Sequence, residues 1–211
     1  MKTVVIASNN AHKASEIAAV LSFPGWEFKT LRELGIESDP AEDAETFEGN
    51  ARIKALAARE ASGGLAVLAD DSGLEVDALG GAPGVHSARY AAEEAGEDVA
   101  GAKDSDDAAN NARLLRELAD VPDDERTARF VCTLVFLDED GAELVARGTI
   151  EGRIGHVEVG ANGFGYDPLF LPDEFGHART LAEASPQEKN AISHRGNALR
   201  ALRAMLEERA G

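Results

Sequence analysis

The chain has 211 residues, 44% hydrophobic and 28% charged, which is typical of a globular protein with one substantial core. It carries 39 acidic and 21 basic side chains, a formal net charge of -18, which argues against binding to nucleic acid or to an anionic membrane. Its one cysteine, Cys132, excludes an intrachain disulfide and is interpreted as a core thiol. No apolar run approaches the roughly 20 residues of a membrane span, and the start "MKTVVIAS" favours a strand over a signal peptide. These features predict a cytoplasmic protein.

The pattern of apolar residues and turn signals predicts alternating strands and helices. In chain order they are a strand over 2–8, a helix over 11–22, a strand over 26–31, a helix over 46–61, strands over 65–70 and 74–79, a helix over 108–121, a hairpin over 128–152 and a helix from about Pro186 to Arg209. Thr46 is expected to cap its helix, in which Phe47, Ile53 and Leu56 lie among alanines. Turns are expected at "DSG" and at "DEDG".

The segment 91–107 is acidic, rich in alanine and poor in large apolar residues, which predicts an exposed, mobile excursion. No repeat and no proline-rich linker divides the chain, so we predict one domain over residues 1–211. The alternation of elements predicts an α/β fold with a mixed central sheet flanked by helices.

The stretch "AVLADDSGLEV" places two adjacent carboxylates, Asp70 and Asp71, at the predicted end of a buried strand. Successive strand side chains point to opposite faces, so the two carboxylates need not share a site. A carboxylate at a strand end can ligate Mg²⁺ or activate water, and Glu42 in "DPAEDAE" can supply a second oxygen ligand. The alternative is a pair of ordinary solvated acids.

The stretch "SNNAHK", residues 8–13, lies between the first predicted strand and the first predicted helix. Ser8, Asn9 and Asn10 can present hydroxyl, amide and backbone donors to an anion, and Lys13 adds a positive charge. The spacing of a Walker loop is absent. The alternative is a plain Ser/Asn helix cap.

Two further clusters lie in the second half of the chain. In "NGFGYDP" the glycines allow close backbone approach and Phe164 can stack on a base, the alternative being a tight turn with a core Phe. In "EKNAISHRG" a polar group is formed by Lys189, Ser193, His194 and Arg195. Its alternative is a solvated helix face, and no G-x-S-x-G elbow supports Ser193 as a nucleophile.

Taken together and in this order, the motifs resemble the noncanonical purine nucleoside triphosphate pyrophosphatases, the inosine/xanthosine triphosphatase or Ham1-like family. The matching pieces are "SNNAHK", "TFEGNARIKA", "LADDSGLEVDALGGAPGVHSARY", "NGFGYDPLF" and "EKNAISHRG". The resemblance implies a mixed sheet flanked by helices, with an active-site cleft between two lobes. It also implies Mg²⁺-dependent hydrolysis of ITP, dITP and XTP to the monophosphate and pyrophosphate, by a cytosolic homodimer that cleans the nucleotide pool.

The resemblance further implies a role for each matching residue. Asp71 is the expected catalytic base, and Asp71 and Glu42 are the expected ligands of Mg²⁺. Substrate is expected to contact Ser8, Asn9, Asn10, Ala11, His12, Lys13, Lys54, Ser72, Phe164, Gly165, Tyr166, Asp167, Lys189, His194 and Arg195. Residues 8–13 and Lys54 are expected at the phosphates.

Base selectivity follows from hydrogen-bond chemistry. The 6-oxo acceptor of hypoxanthine and xanthine fits donors from Lys189, His194 or Arg195, whereas the 6-amino group of adenine would set donor against donor. A buried mismatch of that kind strongly disfavours the wrong base.

Two departures from the family pattern stand out: Gly49 occupies a position where many members have Glu, and the excursion at 93–107 is longer than usual. Two rival hypotheses also stay open. One is a Maf-like pyrophosphatase acting on pyrimidine or modified nucleotides, against which "SHRG" and "FGYDP" argue. The other is a nucleotide-binding protein without turnover, against which Asp71, Glu42 and the lysines argue.

Overall fold

The structure is a computed structural model and describes residues 1–8, 10–94 and 106–210. In these parts of the chain the strands are β1 (Lys2–Ala7), β2 (Trp26–Thr30), β3 (Ala66–Val76), β4 (Thr127–Leu137), β5 (Glu143–Ile154) and β6 (Phe170–Pro172). The α-helices are α1 (Ala11–Val20), α2 (Leu31–Leu34), α3 (Phe47–Ala61), α4 (Tyr90–Glu94), α5 (Asp107–Glu117), α6 (Pro186–Ile192) and α7 (His194–Ala210). Short 3₁₀ helices cover Asp77–Leu79, Gly84–Arg89, Asp123–Glu125, Asp173–Phe175 and Leu181–Glu183.

The strands pair in the order β2-β1-β3-β4-β5-β6. Strand β1 is parallel to both of its neighbours, with Val4 opposite Phe28 of β2 and Ala66 of β3. Strand β5 is antiparallel to β6, with Ile154 opposite Phe170. The sheet is therefore mixed and helices accompany it, which confirms the predicted α/β class.

Internal contacts divide the chain into two compact units. The first unit comprises Met1–Asp71, Cys132–Gly148 and His194–Gly211, and the second comprises Ser72–Val131 and Thr149–Ser193. The assignment of residues 1–211 to a single domain stays a prediction.

In the first unit, alternate residues of β1 and β3 belong to different apolar clusters because a strand directs successive side chains to opposite faces. One cluster packs against α1 and α7 and includes Val4, Ile6, Ile17, Leu68 and Leu199. The other packs against α3 and includes Val5, Ala7, Ala51, Ala55 and Val67. Both faces of these strands are covered, which explains the unbroken apolar runs at residues 4–7 of β1 and 66–69 of β3.

The second unit has its own apolar core. It includes Leu74, Leu114, Phe130, Ile150, Tyr166 and Phe170. The rings of Phe130 and Phe170 lie 4.8 Å apart between centroids and are tilted by 52°, a favourable arrangement for an aromatic pair. This core fixes the position of the "NGFGYDP" segment, since Tyr166 is one of its members.

Two predictions about local structure are wrong, and one large apolar residue is exposed. The turn expected at "DSG" does not form, and β3 runs without a break from Ala66 to Val76 because buried residues on both sides of the segment hold it extended. The last helix is two helices, because Ser193 adopts an extended conformation with φ -63° and ψ 154° between α6 and α7. Leu56 is 54% exposed, since α3 turns its small residues towards the sheet.

Two other predictions, the cap of α3 and the hairpin, are confirmed. Thr46 caps α3 by accepting a hydrogen bond from the backbone of Gly49 at 3.1 Å. The predicted hairpin corresponds to β4 and β5, with Gly141 at a φ of 84° in the connection. The predicted excursion falls largely on residues 95–105, outside the described residues. Within the described ranges, no helix combines the length and apolar character that crossing a membrane requires.

Candidate active site

The loop between β1 and α1 is held by hydrogen bonds of its own polar residues. The Ser8 hydroxyl accepts from the backbone of Asn10 at 3.2 Å, and Asn10 Oδ1 accepts from the backbone of Lys13 at 3.2 Å. Asn10 thus caps α1, as the helix-cap alternative predicted. The cap also fixes the first turn of α1, from which the Lys13 side chain extends.

Lys13 reaches the buried carboxylate of Asp70. Its Nζ lies 2.6 Å from Asp70 Oδ1, and the Asp70 side chain is completely buried. The second oxygen, Oδ2, accepts from Arg195 Nε at 3.0 Å and from the Cys132 thiol at 3.0 Å. Arg195 also donates through Nη1 to Glu16 of α1. One buried carboxylate therefore links the first helix, β3, β4 and the last helix of the first unit.

Charge balance explains why Asp70 can stay ionised in this setting. Burial by itself would raise the pKa of Asp70, but the charges of Arg195 and Lys13 outweigh burial and hold this pKa well below the ordinary value of 3.8. Burial and the adjacent Asp70 charge raise the pKa of the Cys132 thiol far above its ordinary value of 9.0. Cys132 is thus a protonated core thiol, as predicted.

Asp71 belongs to a separate group on the other face of β3. Lys54 of α3 donates to Asp71 Oδ1 at 2.8 Å and to Glu42 Oε2 at 2.8 Å, so one ammonium joins the two carboxylates. The second oxygen of Asp71, Oδ2, is buried and has no hydrogen-bond partner among the described residues. Asp71 therefore presents one free acceptor in a buried setting.

The pKa directions in this group follow from burial and from the ion pairs. Burial raises the pKa of Asp71 above its ordinary value of 3.8, although the Lys54 charge opposes the rise. Burial alone would lower the pKa of Lys54, but the charges of Asp71 and Glu42 outweigh it and raise that pKa above 10.5. Lys54 thus stays charged, and Asp71 is a stronger base than an exposed aspartate.

The segment that carries Glu42 is held against the start of α3. The backbone of Ala44 donates to Asn50 Oδ1 at 2.9 Å, and Asn50 is 1% exposed. A Cβ at Gly49 would lie only 2.6 Å from the Ala44 side chain. Gly49, the departure from the family pattern, therefore permits the close approach of this segment.

The second unit brings together three of the predicted residues. Lys189 donates to Asp167 Oδ2 at 2.7 Å, and both side chains are buried. The Lys189 ammonium also lies 4.6 Å from the centroid of the Phe164 ring, within cation–π range. Asp167 Oδ2 accepts in addition from the backbone of Phe164 at 3.0 Å, which closes the "FGYD" turn.

The other predicted residues of the second unit serve the turn or the core. Gly165 has a φ of 63°, and its backbone nitrogen donates to Asp107 Oδ2 at 2.7 Å. The Tyr166 hydroxyl donates to the backbone oxygen of Ser87 at 2.8 Å, in the core. Ser72 lies within β3 and is partly buried.

His194 and Arg195 open α7 in the first unit and are 5% and 1% exposed. Ala11 and His12 lie in the first turn of α1, and Asn9 is outside the described residues. The three groups that the structure assembles are thus Lys13 with Asp70 and Arg195, Lys54 with Glu42 and Asp71, and Lys189 with Asp167 and Phe164.

Sequence reasoning left the role of Asp70 open and missed Glu16 and Asp107. Glu16 lies one helical turn after Lys13 on α1, so its position on the same helix face was a usable signal. Nothing in the sequence pairs Asp107 with Gly165, because the contact joins positions 58 residues apart.

Oxygen ligands for a divalent cation are available at Glu42 and Asp71. Carboxylate oxygens suit Mg²⁺, which proteins often hold through one or two carboxylates together with substrate phosphates. In the described parts of the chain, no three His, Cys, Asp or Glu side chains form a metal-binding set by themselves.

Known proteins resemble this chain over nearly its whole length. The model of the Ham1 family matches residues 4–205. A protein of Exiguobacterium sibiricum named dITP/XTP pyrophosphatase is 49% identical over 203 residues, 96% of each chain. Among solved structures, a Ham1 protein from Coxiella burnetii matches with a TM-score of 0.83 and 40% identity, covering 99% of this chain and 100% of that one. The Staphylococcus aureus Ham1 protein matches with a TM-score of 0.80 and 39% identity, with the same coverage.

The fold and the motifs are those of a nucleotide-hydrolysing α/β family, and the chain belongs to the Ham1 family. The predicted resemblance is confirmed.

Proposed function

We propose that this protein hydrolyses ITP, dITP and XTP to the corresponding monophosphate and pyrophosphate. The name of the Exiguobacterium relative, dITP/XTP pyrophosphatase, supports the substrate class. The observation that carries the proposal is the environment of Asp71, whose buried Oδ2 has no hydrogen-bond partner in the described parts of the chain while its Oδ1 accepts from Lys54. A fixed carboxylate with one free oxygen and a raised pKa is suited to remove a proton from water.

Mg²⁺ is the proposed cofactor, held by Glu42 and Asp71. The residues fit a hard cation, because Glu42 and Asp71 both offer carboxylate oxygens and these two side chains contact the same ammonium. When bound, the cation would offset the negative charge of the triphosphate, which an acidic protein with few lysines otherwise does poorly.

The chain's own residues then perform the reaction. A water attacks the α-phosphorus, its proton passes to Asp71 Oδ2, and the bond from the α-phosphorus to the bridging oxygen breaks. The electron pair leaves with pyrophosphate, whose charge is stabilised by Lys13 and Lys54. Asp71 is held rigidly within β3, so the water it binds needs no reorientation of the base during the reaction.

The phosphates are bound by the β1–α1 loop and by Lys54. The contributing residues are Ser8, Asn9, Asn10, Ala11, His12, Lys13 and Lys54. Lys13 is 17% exposed in its side chain, so its ammonium can reach a phosphate oxygen while Asp70 continues to hold it. The dipole of α1 adds to this attraction.

The base is recognised by the remaining predicted residues, which are Ser72, Phe164, Gly165, Tyr166, Asp167, Lys189, His194 and Arg195. Support for this comes from the second unit, where Lys189 combines a fixed ammonium with a neighbouring aromatic ring. Such a pair offers a hydrogen-bond donor to a 6-oxo group and a ring on which a purine can stack. Asp167 keeps the ammonium in place.

We further propose that the enzyme is a cytosolic homodimer that acts on free nucleotides rather than on nucleic acid or membranes. The net charge of -18 supports the exclusion of polyanions from its general surface. The homodimer rests on the family resemblance.

The deciding experiment is hydrolysis of ITP with Mg²⁺, in which products are separated before any pyrophosphatase is added. IMP and pyrophosphate are the expected first products, and added pyrophosphatase should then release two phosphates per nucleotide. IDP with orthophosphate as first products would overturn the assignment. Binding without turnover would instead favour the binding-protein hypothesis, and faster hydrolysis of dTTP or UTP would favour the Maf-like one.

A further inference from the structure

The Lys54 ammonium joins the two carboxylates that are proposed to hold the divalent cation. It contacts Asp71 Oδ1 and Glu42 Oε2, each at 2.8 Å, and these are the two side chains proposed to hold Mg²⁺. The side chain of Lys54 is 14% exposed, so its charge is satisfied mainly by these two carboxylates. A cation that used the same oxygens would have to replace the ammonium.

We propose that Lys54 is a built-in competitor of the metal, which keeps the affinity of the free enzyme for the metal low and links metal binding to the arrival of the nucleotide. This inference rests on the proposed function, because it takes the metal and the phosphates from it. In the free protein Lys54 neutralises part of the charge of Glu42 and Asp71. When a triphosphate binds, its oxygens offer Lys54 a new partner, and the two carboxylates become available to the cation.

The electrostatics favour such an exchange over a static arrangement. Two carboxylates and one ammonium leave a net negative charge, which a divalent cation can neutralise completely once the ammonium has moved to a phosphate. Without a phosphate, the displaced ammonium would be left partly buried and unpaired, which is costly. The metal and the nucleotide therefore each increase the affinity for the other, as linkage requires.

A static alternative makes a different prediction. The free Asp71 Oδ2 could bind the cation while Lys54 keeps Oδ1 and Glu42. On that arrangement the ammonium would add only a modest repulsion, and its removal would change metal affinity no more than the removal of another nearby positive charge.

The test measures Mn²⁺ binding directly, by the loss of the free Mn²⁺ signal in electron paramagnetic resonance, with no nucleotide present. We expect Lys54→Met to bind Mn²⁺ at least about tenfold more tightly than the unaltered protein, since a charged hydrogen bond no longer has to be broken. The matched control is Lys13→Met. Lys13 also carries one positive charge near Asp71, but its ammonium is paired with Asp70. For Lys13→Met we expect a change below about threefold.

A second arm adds the α,β-methylene analogue of dITP, which cannot be cleaved at the reacting bond. The analogue should increase Mn²⁺ affinity by a larger factor in the unaltered protein than in Lys54→Met, since only the former has an ammonium to release. The tighter binding of Lys54→Met should disappear when Glu42→Gln is added, which would locate the cation. Lys54→Gln serves in the same measurements if Lys54→Met does not fold.

Three outcomes would each overturn the inference. Lys54→Met could bind Mn²⁺ with the same affinity as the unaltered protein, or Lys54→Met and Lys13→Met could change the Mn²⁺ affinity by the same factor. The third is that the analogue increases the Mn²⁺ affinity of Lys54→Met and of the unaltered protein equally. These outcomes differ from a failure of the proposed function. That function would fail if the unaltered protein did not hydrolyse ITP. An enzyme that hydrolyses ITP yet shows any of these outcomes would keep its function and lose this linkage.

Discussion

Asp70 and Asp71 are adjacent in β3, yet their carboxylates bind different lysines: Asp70 Oδ1 lies 2.6 Å from Lys13 Nζ, and Asp71 Oδ1 lies 2.8 Å from Lys54 Nζ. The alternation of side chains along a strand separates the two charges. The pKa of Asp70 is held far down by Arg195 and Lys13, whereas burial raises the pKa of Asp71. Two neighbouring residues of one type thus acquire different chemistry, the first as a structural counter-ion and the second as the proposed base.

Asp71→Asn is expected to lower kcat by far more than tenfold while the protein stays folded. The amide has nearly the same shape but is a very poor base and a weaker ligand for a hard cation. Turnover of ITP and the melting temperature should be measured together. Asp77→Asn is the matched control, because Asp77 is exposed and pairs with Arg129. If Asp71→Asn kept more than about a tenth of kcat, a loss below ~1.4 kcal/mol, Asp71 could not be the base.

Lys189→Gln is expected to reduce discrimination between ITP and ATP. If the Lys189 ammonium donates to the 6-oxo group, kcat/KM for ITP should fall about ten- to hundredfold, and kcat/KM for ATP should fall much less. The glutamine amide can still donate to Asp167, which limits structural damage. Both substrates are measured on the same preparation, with Lys29→Met as a control at a partly exposed lysine paired with Glu27. An equal fall for both substrates would mean that Lys189 does not read the base.

Arg195→Ala is expected to lower the free energy of unfolding by about 3 kcal/mol, because it breaks a buried ion pair and leaves the Asp70 carboxylate with Lys13 but without Arg195. Arg195 is 1% exposed and joins Asp70 to Glu16. Arg200→Ala, on the same helix but at an exposed position, should change stability little. Denaturant unfolding measures the free energy of unfolding of both variants. If Arg195→Ala were as stable as Arg200→Ala, the structural role of Arg195 would be contradicted. The ITP/ATP ratio of Arg195→Ala separately tests its proposed contact with the base.

Gly148→Ala is expected to destabilise the protein by at least about 2 kcal/mol through overpacking. A Cβ at Gly148 would collide with the backbone nitrogen of Ala198 and the backbone oxygen of His194, so α7 would have to move. Gly155→Ala is the control, because its Cβ would find no atom closer than 3.4 Å outside its immediate neighbours. Both variants are compared by thermal and denaturant unfolding. If Gly148→Ala were as stable as Gly155→Ala, α7 would be able to shift at little cost in free energy, and the prediction would be contradicted.

Glu188→Gln is expected to lower the melting temperature above pH 5 and to have less effect in acid. The hydrogen bonds from Arg179 and from Ser185 lower the pKa of Glu188 from 4.5 to about 2. A carboxylate with a depressed pKa stabilises the folded state fully above its unfolded value, and the stabilisation is lost as pH falls through the folded value. The difference in melting temperature should therefore shrink between pH 4.5 and about 2. A difference that did not vary with pH would contradict the ion pair.

Periodicity and turn chemistry were sufficient to predict β1, α1, β2, α3 and the β4–β5 hairpin. Each of these elements carries its own pattern, such as the unbroken apolar run of β1 or the cap at Thr46. The motifs were also sufficient to indicate the family, because their residue types and their order along the chain can be read directly from the sequence. Local signals failed at "DSG", where turn-forming residues lie in an extended strand.

Only the tertiary structure determines which charged side chains form ion pairs. The sequence showed Asp70 and Asp71 as a pair and left the role of Asp70 open, but the partner of Asp70 on α7 lies 125 residues away. Such long-range pairings depend on the packing of α1, β3 and α7, which no local pattern encodes. The same packing placed Lys54 between Glu42 and Asp71. The residue types of the site are therefore determined by the sequence, whereas their charge states follow from burial and from ionic partners that only the folded chain brings within hydrogen-bond distance.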